Sequence, residues 1–305
     1  MTAEKRKDPL RALAAVTAAK ADEADARRLA DIAKKNRNSN LAGNYAEQAR
    51  EAAADAIIAA ADATEAARED DAERAEQAAE RAAEARRQTL RYTRATERAA
   101  CAANRVLDHA EQAAKEARNA RRHAEDAEKA ASMTTNTGDA LRYARQARAA
   151  ADQATLAAAR AADASEEARN TFENRTMAEA ETQARAAEAE VRLCKARAIA
   201  NSAAAQAAHT AENATNAAIK IIYADNADQQ PETRAAAEQH ANTAREQALL
   251  AAWEAVKAED AKTLTPASLA AVRAQTHMAA ARQAAFALTG CCSDQDQKNK
   301  QNAIK

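Results

Sequence analysis

Alanine recurs along this chain at alternating intervals of three and four residues. Ala46, Ala49, Ala53, Ala56, Ala60 and Ala63 keep that spacing; so do Ala144, Ala147, Ala151, Ala154, Ala158 and Ala161, and again Ala241, Ala244, Ala248, Ala251, Ala255 and Ala258. A 3.5-residue period gathers small side chains into one narrow stripe of an α-helix and leaves the other faces to charged residues. The β-branched and aromatic side chains that a pleated, half-buried strand needs are scarce and scattered, so no sheet is expected. The pattern predicts an all-α chain whose helices meet through alanine in left-handed, closely spaced seams.

Breakers are scarce enough to place the boundaries. A first helix is expected over Pro9–Lys35, ending in the polar run at residues 36–40 and Gly43; a second segment opens near Asn44 and meets neither Gly nor Pro until Gly138. A third runs from Asp139 to about Tyr223, where Asp225, Asn226, Asp228 and Pro231 interrupt it. Shorter helices follow over about 232–262 and 266–288, then Gly290 and a polar tail over 290–305, expected to be disordered. If unbroken, the two middle segments are very long helices, roughly 130 Å each at 1.5 Å per residue. The expected architecture is one elongated antiparallel bundle or coiled coil over 1–289, because short connections make neighbouring helices antiparallel. The other arrangement breaks the long segments near Asp70 and Asn170, making helix pairs and a short solenoid.

Internal repetition bears on that choice. Residues 45–50 read YAEQAR, 143–148 read YARQAR and 240–245 read HANTAR, each following a break, and the alanine register continues behind each. This suggests repeats of about 97 residues beginning near 44, 139 and 232. Stacked alanines specify register poorly, since a slip of one heptad sets methyl against methyl again. The larger residues are therefore expected to fix alignment: Ile57, Ile58, Leu90, Leu107, Leu193, Ile221, Ile222, Leu249, Leu250 and Trp253.

Composition sharpens the picture. About a third of the 305 residues are alanine and only 2% are aromatic, with three glycines and three prolines. A thick apolar core is not available to such a chain, and stability must come from helix propensity and many small contacts. The 45 basic and 46 acidic residues are interspersed, so no basic stripe for a phosphate backbone is expected and nucleic acid is not an expected partner. No apolar run reaches the length of a membrane span. Residues 1–9 carry no apolar signal region, leaving a cytoplasmic protein, or an extracellular or surface one whose signal has been removed.

Motifs that carry chemistry are scarce along the chain. His109, His123, His209, His240 and His277 have no Glu three residues before them, no His-Glu-x-x-His pair occurs, and no phosphate loop or nucleophile elbow is present. No catalytic residue, metal site or cofactor is expected. Carboxylates such as Glu73, Glu76, Glu80 and Glu84 lie among arginines at helical spacing and read as a solvated face. Cys101, Cys194, Cys291 and Cys292 are expected to be mostly free thiols; lipidation or interchain cross-linking at the vicinal pair is the alternative. Asn174 and Asn213 open N-x-T sequons, at a frequency chance would give. Tyr223, Trp253, Phe286 and Leu288 gather the bulkiest apolar side chains in the C-terminal third, as either a partner patch or a packed end-cap.

The break-to-break organisation, Trp253 following an Ala-Leu-Leu run, and Gly290-Cys291-Cys292 resemble the alanine-rich surface proteins of trypanosomes. That resemblance implies an elongated helical bundle displayed through a C-terminal lipid anchor. The heptad alanines of 143–169 also look like helical stalks of secreted actinobacterial polymorphic toxins. The function expected is a non-enzymatic structural, cell-surface or interaction protein, a rod-like spacer or coat presenting a binding face, with a protein partner or homodimer. The alternatives are a ligand-binding surface receptor, a toxin stalk and a stress-protective helical protein.

Overall fold

The computed structural model describes residues 8–134, 138–223 and 231–302, with side-chain environments given through residue 288. Seven α-helices account for nearly all of them: α1 Pro9–Lys35, α2 Asn40–Arg68, α3 Ala72–Ser132, α4 Gly138–Asn170, α5 Asn174–Ile222, α6 Pro231–Asp260 and α7 Leu264–Asn302. No strand occurs among the described residues. The fold class expected from alanine spacing is thus observed.

Both long middle segments break. Asp70 has a left-handed backbone (φ 55), and the Asp71 N–H reaches back to the Ala66 carbonyl at 3.0 Å, closing α2 in a Schellman-type turn. The Asp71 carboxylate then accepts the Arg74 N–H at 3.1 Å and caps α3. The second break lies between α4 and α5, where the Thr171 hydroxyl accepts the Glu173 N–H at 3.0 Å. Segments expected as single helices over 44–138 and 139–223 are therefore two helices each, and the three pairs α2–α3, α4–α5 and α6–α7 all turn within three residues. The break placed at Gly43 is also displaced: Ser39 caps α2 by accepting the Ala42 N–H, and Gly43 lies within the first helical turn. The expected breaks over 135–137 and 224–230 fall outside the described residues. Helix α7 continues through Gly290, into the stretch read as a polar tail.

The chain forms two compact units, residues 1–110 with 162–185, and 111–161 with 186–305. In the first, Ala12, Ala19, Ala26 and Ala33 of α1 face α2 in descending order. Ala12 meets Ala66, Ala19 meets Ala60 and Ala63, Ala26 meets Ala53 and Ala56, and Ala33 meets Ala46 and Ala49. Helix α3 rises beside them through Ala75, Ala78, Ala82 and Ala85, so α1 and α3 are parallel and α2 antiparallel. Heptad alanine thus makes the seam it predicts. Leu41, Val106 and Met177 close a larger cluster with the ends of α4 and α5.

In the second unit α5 is the centre. No residue from 193 to 212 is exposed. Ala207 meets Ala251 of α6 and Ala281 of α7, while Ala214, Ala218 and Ile221 meet Ala237, Ala241 and Leu288. Helices α3 and α4 cover its other side, as the Lys195–Glu116 pair at 2.6 Å and the Arg160–Glu190 pair at 2.7 Å record.

The large residues expected to set register mostly do not. Ile57, Ile58, Leu249, Leu250 and Trp253 are exposed, Leu90, Leu107, Leu193 and Ile222 are half-buried, and Ile221 alone of that set is buried. Alignment comes instead from buried Leu41, Val106, Tyr143, Met177, Val191 and Leu288. Directional polar contacts add to it, such as the Thr93 hydroxyl donating to the Leu29 carbonyl at 3.1 Å.

Candidate functional site

Two features of the second unit concentrate chemistry: a polar belt around α5 and an apolar outer face on the α6–α7 hairpin. The belt begins where the hairpin turns. Arg197 donates from Nη2 to the Ala261 carbonyl at 3.0 Å and from Nε to the Ala258 carbonyl at 3.4 Å, and lies 4.0 Å from Glu259. These carbonyls are the unsatisfied acceptors of the α6 C-terminus, where a cation is also favoured by the helix dipole. Asn201, fully buried, donates to Glu259 Oε1 at 2.6 Å. The belt therefore anchors the hairpin to α5.

On the α3 side, burial pushes the Glu116 carboxyl up, but the hydrogen bond and charge of Lys195 more than reverse this and hold it below the usual carboxylate range. His123 is pushed below its ordinary value chiefly by burial, aided by the Lys195 charge and opposed by Asp126. Burial also raises the Cys194 thiol, which donates to Gln153 Oε1 at 3.9 Å. A thiol so held is not a nucleophile at neutral pH. Cys101 and Cys194 are both free, as expected; the side chains of Cys291 and Cys292 lie outside those described.

The depressed His123 and Glu116 have one consequence of common sign. Each binds protons more weakly folded than unfolded, so the stability they contribute is complete above the unfolded value and is lost as pH falls through the folded one. The melting temperature should therefore drop as pH falls below about 6.5, the unperturbed histidine value, and further through the carboxylate range. A His123→Gln variant should flatten the upper part of that profile; scanning calorimetry between neutral and mildly acidic pH checks it.

The four residues of the predicted partner patch do not form one surface. Tyr223, Trp253 and Phe286 are 77%, 62% and 78% exposed, but Leu288 is 1% exposed and packs against α5 and α6. Leu288 belongs to the core. Because Ala251 is level with Ala207, Trp253 lies about 27 Å along the axis from Tyr223, with Phe286 about 10 Å from the Trp253 level on the neighbouring helix. What surrounds Trp253 is more telling. Helix α6 buries Ala241, Ala244, Ala251, Ala255 and Ala258, and its outward positions between them hold Leu249, Leu250, Trp253 and Val256, all exposed. The Lys257 ammonium lies 4.9 Å from the Trp253 ring centroid. Leu269, Val272 and Phe286 are likewise exposed on α7. This hairpin has small residues inside and large ones outside, an inversion that sequence reasoning missed by assigning the large residues to alignment.

Beside it runs an open groove of about 650 Å³ between α4, α5 and α6, lined by Tyr143, Glu212, Thr215, Arg245, Leu249 and Ala252. Arg245 donates from Nε to the Thr215 hydroxyl at 2.9 Å. The histidines are dispersed: His209 is 3.0 Å from Asn213 and 3.4 Å from Thr134, and His277 is 2.8 Å from Gln247. Among the described residues no group of His, Cys, Asp and Glu could hold a metal, and no helix is long and apolar enough to cross a membrane. Asn174 of the first sequon is engaged, donating to the Tyr45 hydroxyl at 2.7 Å. No protein-family model matches the chain, and neither a curated protein nor a solved structure does.

Proposed function

We propose that the chain is a non-enzymatic structural or interaction protein, an alanine-seamed helical spacer whose C-terminal hairpin presents a binding face to a protein partner. The supporting observation is the inversion on α6. Four large apolar side chains occupy outward positions on a helix whose inner face is satisfied by alanine, and exposed clusters of this kind mark interaction sites. Tryptophan at such a centre suits a binding anchor. Display at a cell surface, in line with the trypanosome resemblance, and a place in a toxin stalk are the contexts such a spacer fits.

The test uses the intact chain and a variant with Leu249, Trp253 and Val256 replaced by alanine. Since all three are exposed, melting should shift by less than the equivalent of about 1 kcal/mol. Capture of a partner from the native source should fall at least about tenfold, as expected for loss of an aromatic anchor. A partner held equally by both proteins refutes the α6 face. The groove lined by Tyr143 and Arg245 favours a second reading, a small-ligand receptor, because its volume falls in the range of ligand pockets. A ligand that raises the melting temperature of the chain and not of an Arg245→Ala variant would establish it.

A further inference from the structure

The outward face of α3 in the first unit carries a segregated charge pattern. Ala75, Ala78, Ala82, Ala85, Thr89 and Thr96 point inward and are buried. On the opposite side, at spacings of four and three, lie Glu73, Gln77, Glu80, Glu84, Arg87, Arg91, Arg94 and Arg98, every one exposed. The stripe changes sign at its midpoint: glutamate and glutamine before residue 85, arginine after it.

Such an arrangement does not serve the isolated helix. Glu80 and Glu84, Arg87 and Arg91, Arg91 and Arg94, and Arg94 and Arg98 are like-charge neighbours at i,i+4 or i,i+3, which is destabilising, whereas a solvated face alternates sign at those spacings. The one opposite-sign contact along the stripe is Arg87 with Glu84 at 2.8 Å. Glu80, Arg91, Arg94 and Arg98 have no ion-pair partner among the described residues. The chain's near-zero net charge conceals this local row of arginines.

We infer that the outward face of α3 pairs with the same face of a second copy, antiparallel, about a two-fold axis between residues 85 and 86. In that register Arg87 meets the partner copy's Glu84, Arg91 its Glu80, Arg94 its Gln77 and Arg98 its Glu73, and each contact recurs by symmetry. Every charged position meets its opposite or an amide, and the interface is isologous, so it closes as a dimer and does not propagate. A parallel pairing sets glutamate on glutamate and arginine on arginine. The acidic half equally disfavours a phosphate or sulfate polymer lying along the whole stripe. The interface is one helix face about 38 Å long and contains no large apolar residue, which places it among weak, transient contacts. Half-association is expected at about 0.1–1 mM protein in ~20 mM salt, weakening at least about tenfold in ~500 mM salt as exposed charges are screened. The contact lies on other residues and in another unit than the α6 face, and stands or falls apart from it.

Sedimentation of the full chain and of two charge-converted variants tests the pairing. One variant carries Arg87→Glu, Arg91→Glu and Arg98→Glu; the other carries Glu73→Arg, Glu80→Arg and Glu84→Arg. With helicity verified by circular dichroism, each alone should stay monomeric to about 1 mM, and the equimolar mixture should associate at a concentration at least about tenfold lower than either alone. The register has its own readout in a chain whose Cys101, Cys291 and Cys292 are replaced by serine. Glu84→Cys lies near the two-fold axis and should oxidise to a disulfide dimer, whereas Glu73→Cys, about 37 Å from its copy, should not. Equal cross-linking of the two overturns the antiparallel register. A monomeric mixture of the charge variants overturns the pairing altogether, and salt-sensitive retention of the native chain on heparin in that case would assign the arginines to a sulfated polyanion.

Discussion

Replacing Ala205 with leucine should cost the second unit about 3 kcal/mol or more, among the largest losses available to a single small-to-large change in this protein. Ala205 is 0% exposed, and Ala203, Ala204 and Ala207 beside it are buried as well. In the two-helix seam of a bundle, an enlarged side chain can swing toward solvent at the edge of the interface. Here no residue from 193 to 212 is exposed, so three added carbons can be accommodated only by pushing a neighbouring helix away. Displacing one of the helices around α5 loses contacts along several turns of it. The reverse exchange at an exposed position, Leu156→Ala on α4, removes side-chain volume without changing any buried contact and should shift stability by less than about 0.5 kcal/mol. Urea unfolding of the two variants checks the contrast. Equal small shifts would mean that α5 is not enclosed as described.

Replacing Arg197 with methionine should release the α6–α7 hairpin at a cost of about 3 kcal/mol, from the loss of two charge-assisted hydrogen bonds to the α6 carbonyls. Methionine keeps much of the aliphatic stem, so packing is largely preserved and the polar loss is isolated. The carbonyls of Ala258 and Ala261 would lose their donor, and Glu259 would keep only the buried Asn201 amide. Hydrogen exchange should then quicken in α6 and the first turns of α7, with the α1–α2 seam of the first unit unchanged, because local opening follows the contacts that hold a segment. Uniform acceleration throughout the chain would contradict this anchoring role.

Legibility differed among these elements for identifiable reasons. The α1 boundaries at Pro9 and Lys35 were readable because Asp8 and Pro9 form a cap and first turn that few other conformations use. The break near Asp70, like that after Asn170, was read only in the alternative arrangement of helix pairs: Glu69, Asp70 and Asp71 are unexceptional residues on a helix surface, and what ends α2 is one left-handed aspartate with a backbone bond to Ala66. The enclosure of α5 left no periodic signal, since a helix buried on every side by small residues shows no polar face. Its signature was the near-absence of charge over 198–211, with Asn201 and Ser202 as buried polar residues, easily taken for more of the same alanine texture. Of the candidate patch, Trp253 was found by size alone, while Leu288 was misplaced because size says nothing about direction.

What the sequence determined by itself was local. A composition dominated by alanine, glutamate and arginine makes helix the lowest backbone state nearly everywhere, and the 3,4 alanine spacing selects which stripe of each helix a neighbour covers. Which neighbour covers it was decided only in the tertiary structure, as were the burial of Leu288, the exposure of Trp253 and the enclosure of α5. The physical reason is degeneracy. An alanine seam fits any other alanine seam almost equally well, so partner and register rest on a few buried side chains and on directional contacts such as Arg197 with the α6 terminus and Asn201 with Glu259, between residues about 60 positions apart in sequence.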